Sequence, residues 1–312
     1  MKSEHDILPE LQGFIAASPI VDLEDLPQDL ELPPLDQTPC KEVTCSEEWI
    51  PAQERQIRVL RYSPVHQEKE RTAALLWIHG GGYFAGAPEA DAPLCRQFVL
   101  EAGVEVIAVD YRLAPKHPYP AGLEDCYAAL RWMEEEAANL CIDPGRIAVA
   151  GVSAGGGLTA ALTLLARDRG GPKIAFQMPL YPMLDDTGGT PSAHEITREN
   201  FPHVWNRSHN QTAWRWYLGE RCGGDTVPVY AAPYRAQSLA GLPPAYTCIG
   251  SLDLFRDETI DYVARLSRAD VPVEFHLYPG CYHAFEVASD TLDICVRARA
   301  EYVSALRKGL GG

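Results

Sequence analysis

Gly151-Val152-Ser153-Ala154-Gly155 directly follows the apolar run Ile147-Ala148-Val149-Ala150 and directly precedes a helical pattern. A serine between two glycines in this context is typical of a sharp strand-to-helix turn, which lifts the serine hydroxyl clear of the sheet. The flanking positions require glycine because a Cβ there would collide with the neighbouring strand or helix. The alternative interpretation is a glycine-rich connection that binds phosphate or nothing. The order of strand, turn and helix favours a nucleophile elbow, and the dinucleotide pattern G-x-G-x-x-G is not met.

A second glycine-rich stretch, His79-Gly80-Gly81-Gly82, follows the buried-strand pattern Leu75-Leu76-Trp77-Ile78. Three successive glycines are costly to order, and they let backbone N–H groups approach a ligand with no side chain in the way. Where a serine nucleophile lies on such an elbow, the loop after this strand supplies N–H donors to the oxyanion, together with the N–H of the residue after the nucleophile. A flexible glycine loop is the alternative, and we expect the His79 side chain to brace the loop. We predict an oxyanion hole formed by the N–H groups of Gly81, Gly82 and Ala154.

A serine nucleophile requires a base, and the base requires an orienting group. The run Tyr246-Thr247-Cys248-Ile249-Gly250 predicts a strand, and Asp253 lies just beyond its end. The run from Val273 to Tyr278 predicts the next strand, and His283 follows it. Both side chains should therefore fall on the carboxyl edge of a parallel sheet, where the elbow serine also lies. We predict a catalytic triad of Ser153, Asp253 and His283.

Other carboxylates and one histidine compete for these roles. Asp257 is the nearest alternative acid, but we expect it in the first turn of the following helix, where the helix dipole favours a carboxylate. Asp185 and Asp186 follow the predicted strand from Ile174 to Leu180 and form a weaker alternative pair. His276 lies within a predicted strand, which favours a structural or surface role.

Together these residues resemble the hormone-sensitive lipase family of α/β-hydrolases, in particular its bacterial carboxylesterase branch. The resemblance covers nearly the whole chain from about residue 45 onward. It is carried, in order, by His79-Gly80-Gly81-Gly82, Asp110-Tyr111-Arg112-Leu113-Ala114-Pro115-Lys116-His117-Pro118-Tyr119-Pro120-Ala121, Gly151-Val152-Ser153-Ala154-Gly155-Gly156, Asp253-Leu254-Phe255-Arg256-Asp257-Glu258 and His283-Ala284-Phe285. The second stretch is similar to the family's tyrosine-arginine-leucine-alanine-proline loop, which braces the oxyanion side of the site.

The chain departs from the family pattern at three positions. Val152 precedes the serine, where the family usually has an acidic residue or threonine. Leu254 follows the aspartate in place of proline, and Ala284 follows the histidine in place of glycine. None of these departures removes a reacting group.

The alternation of elements predicts a mostly parallel, doubly wound sheet, and the resemblance implies an α/β-hydrolase fold with a helical cap. Near-continuous apolar runs alternate with helical patterns, and 46% of the 312 residues are hydrophobic. The predicted helices are Leu123 to Glu136, Ala154 to Arg167 and Glu258 to Ala269.

The expected domains are residues 1–45 as the N-terminal part of the cap and 46–312 as the catalytic domain, with 185–230 as a cap insertion. We expect a helix from Asp6 to Ala17 in the N-terminal part. In the resembled family these two segments cover the serine and shape its pocket. The cap rings either pack the cap itself or face the substrate; these rings include Trp205, Trp214 and Tyr217.

Composition excludes several classes of partner. The formal charge of −16 disfavours nucleic acid and anionic membranes. No apolar run approaches the roughly 20 residues that span a bilayer, and the charged first residues do not predict a signal peptide, so no stable membrane association is expected. Nine cysteines without C-x-x-C spacing favour reduced thiols and a cytoplasmic location. No metal is predicted, because His194, His203 and His209 lack ligand spacing with an acid, and no cofactor is predicted.

We interpret the chain as a serine carboxylesterase that hydrolyses short- to medium-chain or aryl esters through an acyl-enzyme, with a small-molecule ester as its partner. An amidase or lactone hydrolase would use the same triad. A non-catalytic small-molecule binder is the alternative of another class, because the resembled family includes plant hormone receptors that have lost the histidine. His283 stands in its motif, which disfavours the binder. Dimerisation through the last strand is common in that family, so a homodimer is possible.

Overall fold

The computed structural model describes residues 2–25, 40–52, 55–65 and 71–312. Within these ranges the strands are β1 Val43–Ala52, β2 Arg55–Pro64, β3 Thr72–Ile78, β4 Glu105–Val109, β5 Ile142–Val152, β6 Phe176–Leu180, β7 Ala245–Gly250 and β8 Val273–Tyr278. The α-helices there are α1 Pro9–Ala17, α2 Ala92–Gln97, α3 Ala121–Glu135, α4 Ala154–Arg169, α5 Pro191–Glu195, α6 Arg207–Leu218, α7 Arg256–Arg268 and α8 Asp293–Gly309.

The strands form one sheet in the order β1-β2-β4-β3-β5-β6-β7-β8. β1 pairs with β2, and β2 with β4, in antiparallel fashion, and the remaining pairs are parallel. Parallel strands β5, β7 and β8 therefore end at the same edge of the sheet. The loops that carry Ser153, Asp253 and His283 all start from this edge, where open α/β sheets bind their ligands.

The central strands are covered on both faces. Every residue of β4, β6 and β7 is buried, as is β3 beyond its first residue. Such burial explains why these strands are apolar almost throughout instead of alternating. The predicted mostly parallel sheet with intervening helices is confirmed.

Several element bounds differ from those expected. α1 begins at Pro9 instead of Asp6, because proline lacks an N–H and its fixed φ suits the first position of a helix. α7 begins at Arg256, two residues earlier than expected, and includes Asp257 in its first turn. The β1–β2 hairpin was not predicted, although the buried and exposed residues of β2 alternate along much of its length.

The N-terminal segment lies against the long connection between β6 and β7. The Lys2 ammonium pairs with Glu195 at 3.0 Å, and the Glu4 carboxylate bonds to the His203 ring at 3.0 Å. Further along, His209 Nε2 bonds to the Val21 carbonyl at 2.8 Å. These contacts agree with the expectation that the two segments form one cap, and the division into domains stays a prediction.

A helix that spans a bilayer is long and apolar. In the described ranges, no helix is both long enough and apolar enough to cross a bilayer.

Candidate active site

Ser153 occupies a tight turn between β5 and α4. Its backbone has φ 56° and ψ −118°, which is a strained conformation for a residue with a side chain. A Cβ added at Gly151 or Gly155 would overlap the Ile78 carbonyl oxygen at the end of β3. Close approach of backbone to backbone therefore excludes larger residues on both sides of the serine, and the turn has the geometry of a nucleophile elbow.

The structure brings Ser153, His283 and Asp253 together in one hydrogen-bonded chain. His283 Nε2 lies 2.9 Å from Ser153 Oγ, and His283 Nδ1 lies 2.8 Å from Asp253 Oδ2. The Phe255 N–H donates to the other carboxylate oxygen, Asp253 Oδ1, at 2.9 Å. Because a carboxylate accepts, Nδ1 carries the proton and Nε2 presents a lone pair to the serine hydroxyl. This arrangement can remove the serine proton.

The competing acids have other partners. Asp257 accepts from the Ser192 N–H at 2.7 Å and pairs with Arg256. Asp185 accepts from the Thr187 hydroxyl at 2.7 Å, and Asp186 pairs with Arg235. None of these three carboxylates contacts His283.

His276 is remote from this chain of hydrogen bonds. Its Nδ1 bonds to Glu301 at 2.9 Å and its Nε2 to Glu274 at 3.1 Å. This partly exposed position agrees with a structural role.

The glycine loop after β3 lies against Ser153. A Cβ added at Gly80 would be only 3.5 Å from Ser153 Cβ. Among the described residues, the Gly81 and Gly82 N–H groups donate to no protein acceptor. Ala154 is the first residue of α4, so its N–H has no acceptor within the helix. The three predicted donors are thus available to a ligand.

Gly82 cannot carry a side chain. Its φ is +59°, and an added Cβ would lie 2.7 Å from Trp205 Cη2 and 2.8 Å from Phe84 Cε1. The backbone of the glycine loop is therefore held between an aromatic ring of the cap insertion and one of its own loop.

His79 and Tyr111 brace this loop. His79 Nδ1 donates to the Gly80 carbonyl at 2.7 Å, and the Tyr111 hydroxyl donates to the His79 carbonyl at 3.0 Å. The two rings are stacked with centroids 4.2 Å apart. Burial lowers the pKa of His79 to about 4, so the ring is neutral at pH 7. His79 is thus a structural donor, and Tyr111 belongs to the stretch that resembles the family's bracing loop.

The cap aromatics divide between the site and the core. The Trp205 ring centroid lies 6.4 Å from that of His283. Trp214 and Tyr217 instead pack on the buried Tyr83 ring, with centroids 5.3 and 4.1 Å away. Trp205 therefore lies near His283, whereas the other two rings pack residues 185–230 against the loop that follows β3.

Sequence reasoning missed two rings that surround His283. Tyr181 and Phe255 each lie 5.1 Å from the His283 ring, edge to face at 83°. Their positions in the chain did carry a signal, because Tyr181 directly follows β6 at the same sheet edge and Phe255 stands in the aspartate motif.

In the part of the chain that the structure describes, no three side chains of His, Cys, Asp or Glu lie close enough to hold a metal ion.

A family model described as the alpha/beta hydrolase fold matches residues 75–287, more than half of the chain. The chain belongs to the α/β-hydrolases, in the hormone-sensitive lipase-like family. The predicted family and fold class are confirmed.

Relatives of this α/β-hydrolase carry the names of esterases. Esterase LipI of Mycobacterium tuberculosis is 38% identical over 251 residues, which cover 80% of this chain and 77% of that protein. Carboxylesterase NlhH of the same organism is 36% identical over 244 residues, covering 78% and 75%. The solved structure of a bacterial heroin esterase is 37% identical and superposes with a TM-score of 0.90 over 99% of both chains.

Proposed function

We propose that this α/β-hydrolase is a serine carboxylesterase that hydrolyses short- to medium-chain or aryl carboxylic esters through an acyl-enzyme. The observation that carries the proposal is the continuous hydrogen-bonded chain from Asp253 through His283 to Ser153, beside a glycine loop whose Gly81 and Gly82 N–H groups have no acceptor among the described residues. The names of the relatives support the same class of reaction.

In the first half of the reaction, Ser153 Oγ attacks the ester carbonyl carbon while His283 Nε2 takes the hydroxyl proton. The carbonyl oxygen becomes an oxyanion, which accepts hydrogen bonds from Gly81, Gly82 and Ala154. Collapse of this intermediate breaks the bond to the alkoxy oxygen, and His283 returns the proton to the leaving alcohol. The product of this half is an ester between Ser153 and the acyl group.

In the second half, water attacks the acyl carbon and His283 again takes the proton. The carboxylic acid leaves as the proton returns to Ser153 Oγ. In both halves Asp253 holds the imidazole in one tautomer and stabilises its protonated form. The burial of Asp253, which is 1% exposed, keeps water from competing for its hydrogen bonds.

Two measurements on the wild-type protein test this proposal. A fluorophosphonate probe should label Ser153, because the activated hydroxyl displaces fluoride from phosphorus. In a panel matched for acyl length, p-nitrophenyl butyrate should be hydrolysed faster than butyranilide and than a lactone. Faster turnover of the anilide or the lactone would assign the amidase or lactone hydrolase instead. Absence of both probe labelling and turnover of all three substrates would contradict the proposal and favour the non-catalytic binder.

Trp205 is expected to limit the length of the acyl group. Because its ring lies against Gly82 and near His283, Trp205→Ala should open the pocket beside the oxyanion loop. Burial of each additional methylene is worth about 0.8 kcal/mol. We therefore expect the ratio of kcat/KM for p-nitrophenyl octanoate over butyrate to rise by at least about tenfold.

The control for Trp205 is Trp49→Ala, which removes an exposed indole from β1. It should leave the octanoate-to-butyrate ratio unchanged. An unchanged ratio in Trp205→Ala, or wild-type rates on long-chain triglycerides that match those on butyrate, would contradict the proposed acyl preference.

A cytoplasmic location is part of the proposal. The nine cysteines all lie in the described residues and form no disulfide there, and free thiols persist in a reducing compartment. Fractionation of the producing cells tests it, and recovery of the protein outside the cytoplasm would contradict it.

A further inference from the structure

His283 is held by more than its two hydrogen bonds. Asp253 and Ser153 bond to its nitrogens, which leaves the ring free to tilt about the line that joins them. The rings of Tyr181 and Phe255 each meet it edge to face at 5.1 Å, and such contacts resist that tilt. Phe255 is tied to the triad through its backbone N–H on Asp253. Tyr181 needs an anchor of its own.

The backbone of Tyr181 is strained. Its φ is +34°, in a region that a bulky residue occupies only when the surrounding structure imposes it. The residue is buried, and its N–H donates to the Cys248 carbonyl on β7 at 3.0 Å. Strain of this kind is concentrated at functional sites. Here the strained backbone places the Tyr181 ring against His283.

The Tyr181 hydroxyl is anchored by a buried carboxyl group. It donates a hydrogen bond to Glu286 Oε1, which lies in the 3-10 turn Phe285–Val287 just after His283. Glu286 is 1% exposed, and in the described part of the chain its Oε2 has no hydrogen-bond partner. Burial raises the pKa of this carboxyl. A buried carboxyl with one oxygen unpartnered among the described residues is unfavourable for folding, so its presence calls for an explanation other than stability.

We propose that Tyr181 is a positioning residue for His283 and that Glu286 anchors the Tyr181 ring through its hydroxyl. The inference rests on the proposed function, because it assumes that His283 is the base. Tyr181 touches neither substrate nor the transferred proton in this scheme. It acts by holding the imidazole in the plane that serves both Ser153 and Asp253.

Two substitutions separate the effect of the Tyr181–Glu286 hydrogen bond from the effect of the Tyr181 ring itself. Tyr181→Phe keeps the ring and removes the hydroxyl, whereas Glu286→Gln keeps an oxygen that accepts from the hydroxyl. Misplacement of a reacting group by a fraction of an ångström to 1 Å lowers turnover by about 10- to 100-fold. We therefore expect kcat on p-nitrophenyl butyrate to fall by about tenfold or more in Tyr181→Phe, with KM unchanged. Glu286→Gln should stay within about twofold of wild type.

A double-mutant cycle tests the pairing. Glu286→Leu should lower kcat as Tyr181→Phe does, and the double variant should be no slower than the slower single variant, because both remove one interaction. The matched control is Tyr262→Phe, since Tyr262 on α7 is also buried but its hydroxyl has no partner in the described residues. Its kcat should equal that of wild type.

Each outcome bears on the inference separately from the proposed function. Wild-type protein without esterase activity would refute the proposed function itself. If the wild type is active and Tyr181→Phe keeps its full kcat, the inference is overturned. It is also overturned if kcat falls as far in Glu286→Gln as in Glu286→Leu. A lower melting temperature with unchanged kcat per folded molecule would show a structural role and overturn it too. If Glu286→Leu does not fold, the comparison of Tyr181→Phe with Glu286→Gln still decides.

Discussion

Ser153→Ala is expected to leave less than about one part in a thousand of wild-type turnover on p-nitrophenyl butyrate. The substitution removes the oxygen that forms the acyl-enzyme, and the remaining groups can only bind the ester and stabilise its oxyanion. Labelling by the fluorophosphonate probe should be lost in the same variant. The fold should persist, because in the part of the chain that the structure describes the hydroxyl makes a single hydrogen bond, to His283.

The matched control is Ser267→Ala, at an exposed serine of α7. It should retain wild-type turnover and labelling. Residual activity of Ser153→Ala above about one part in a thousand, in protein free of wild type, would exclude Ser153 as the nucleophile. Another residue would then have to form the acyl-enzyme, or the reaction would not pass through one.

Asp253→Asn is expected to lower kcat by about 10³- to 10⁴-fold while the fold is kept. The Phe255 N–H requires an acceptor, so the amide oxygen of the asparagine stays at the Oδ1 position. Its NH2 group then faces His283 Nδ1 and can only donate. The imidazole is forced into the tautomer with the proton on Nε2, which cannot accept the proton of Ser153. Steady-state kinetics with p-nitrophenyl butyrate measure the loss.

Asp257→Asn provides the comparison, because Asp257 is the competing acid in the same sequence motif. Its carboxylate serves Arg256 and the Ser192 N–H, so kcat should change by no more than about threefold. A larger loss in Asp257→Asn than in Asp253→Asn would reverse the assignment of the orienting acid.

The elbow turn, the glycine loop beside it and the meeting of Ser153, Asp253 and His283 could be predicted, because they depend on short-range constraints and on strand direction. Gly151 and Gly155 are needed where two backbones meet, and such a need is visible in the residues themselves. Asp253 and His283 follow strands of one parallel sheet, so the direction of the strands alone brings them to one edge. The roles of these residues await the substitutions above.

Other features depend on how distant segments meet, and the sequence carries little trace of them. Trp205 and Trp214 stand in the same insertion with similar surroundings, yet only the folding of the cap decides which ring faces His283. The residues around Glu286 do not indicate that its carboxyl accepts a hydrogen bond from Tyr181, which follows β6. The β1–β2 hairpin is different, since the alternation of β2 was visible and would have predicted it.

Trp205 contacts Gly82, whose N–H group is proposed to bind the oxyanion, so this one ring is expected both to limit the acyl group and to support an oxyanion donor. Laboratory evolution toward bulkier esters would favour smaller side chains at position 205. Each such change would also remove packing from the peptide group of Gly82. Variants gained in this way should broaden their substrate range and lose speed on small esters at the same time. Restoring turnover of small esters would require compensating substitutions that support the glycine loop, near Phe84 and Tyr111. A still smaller side chain at position 205 would not restore it.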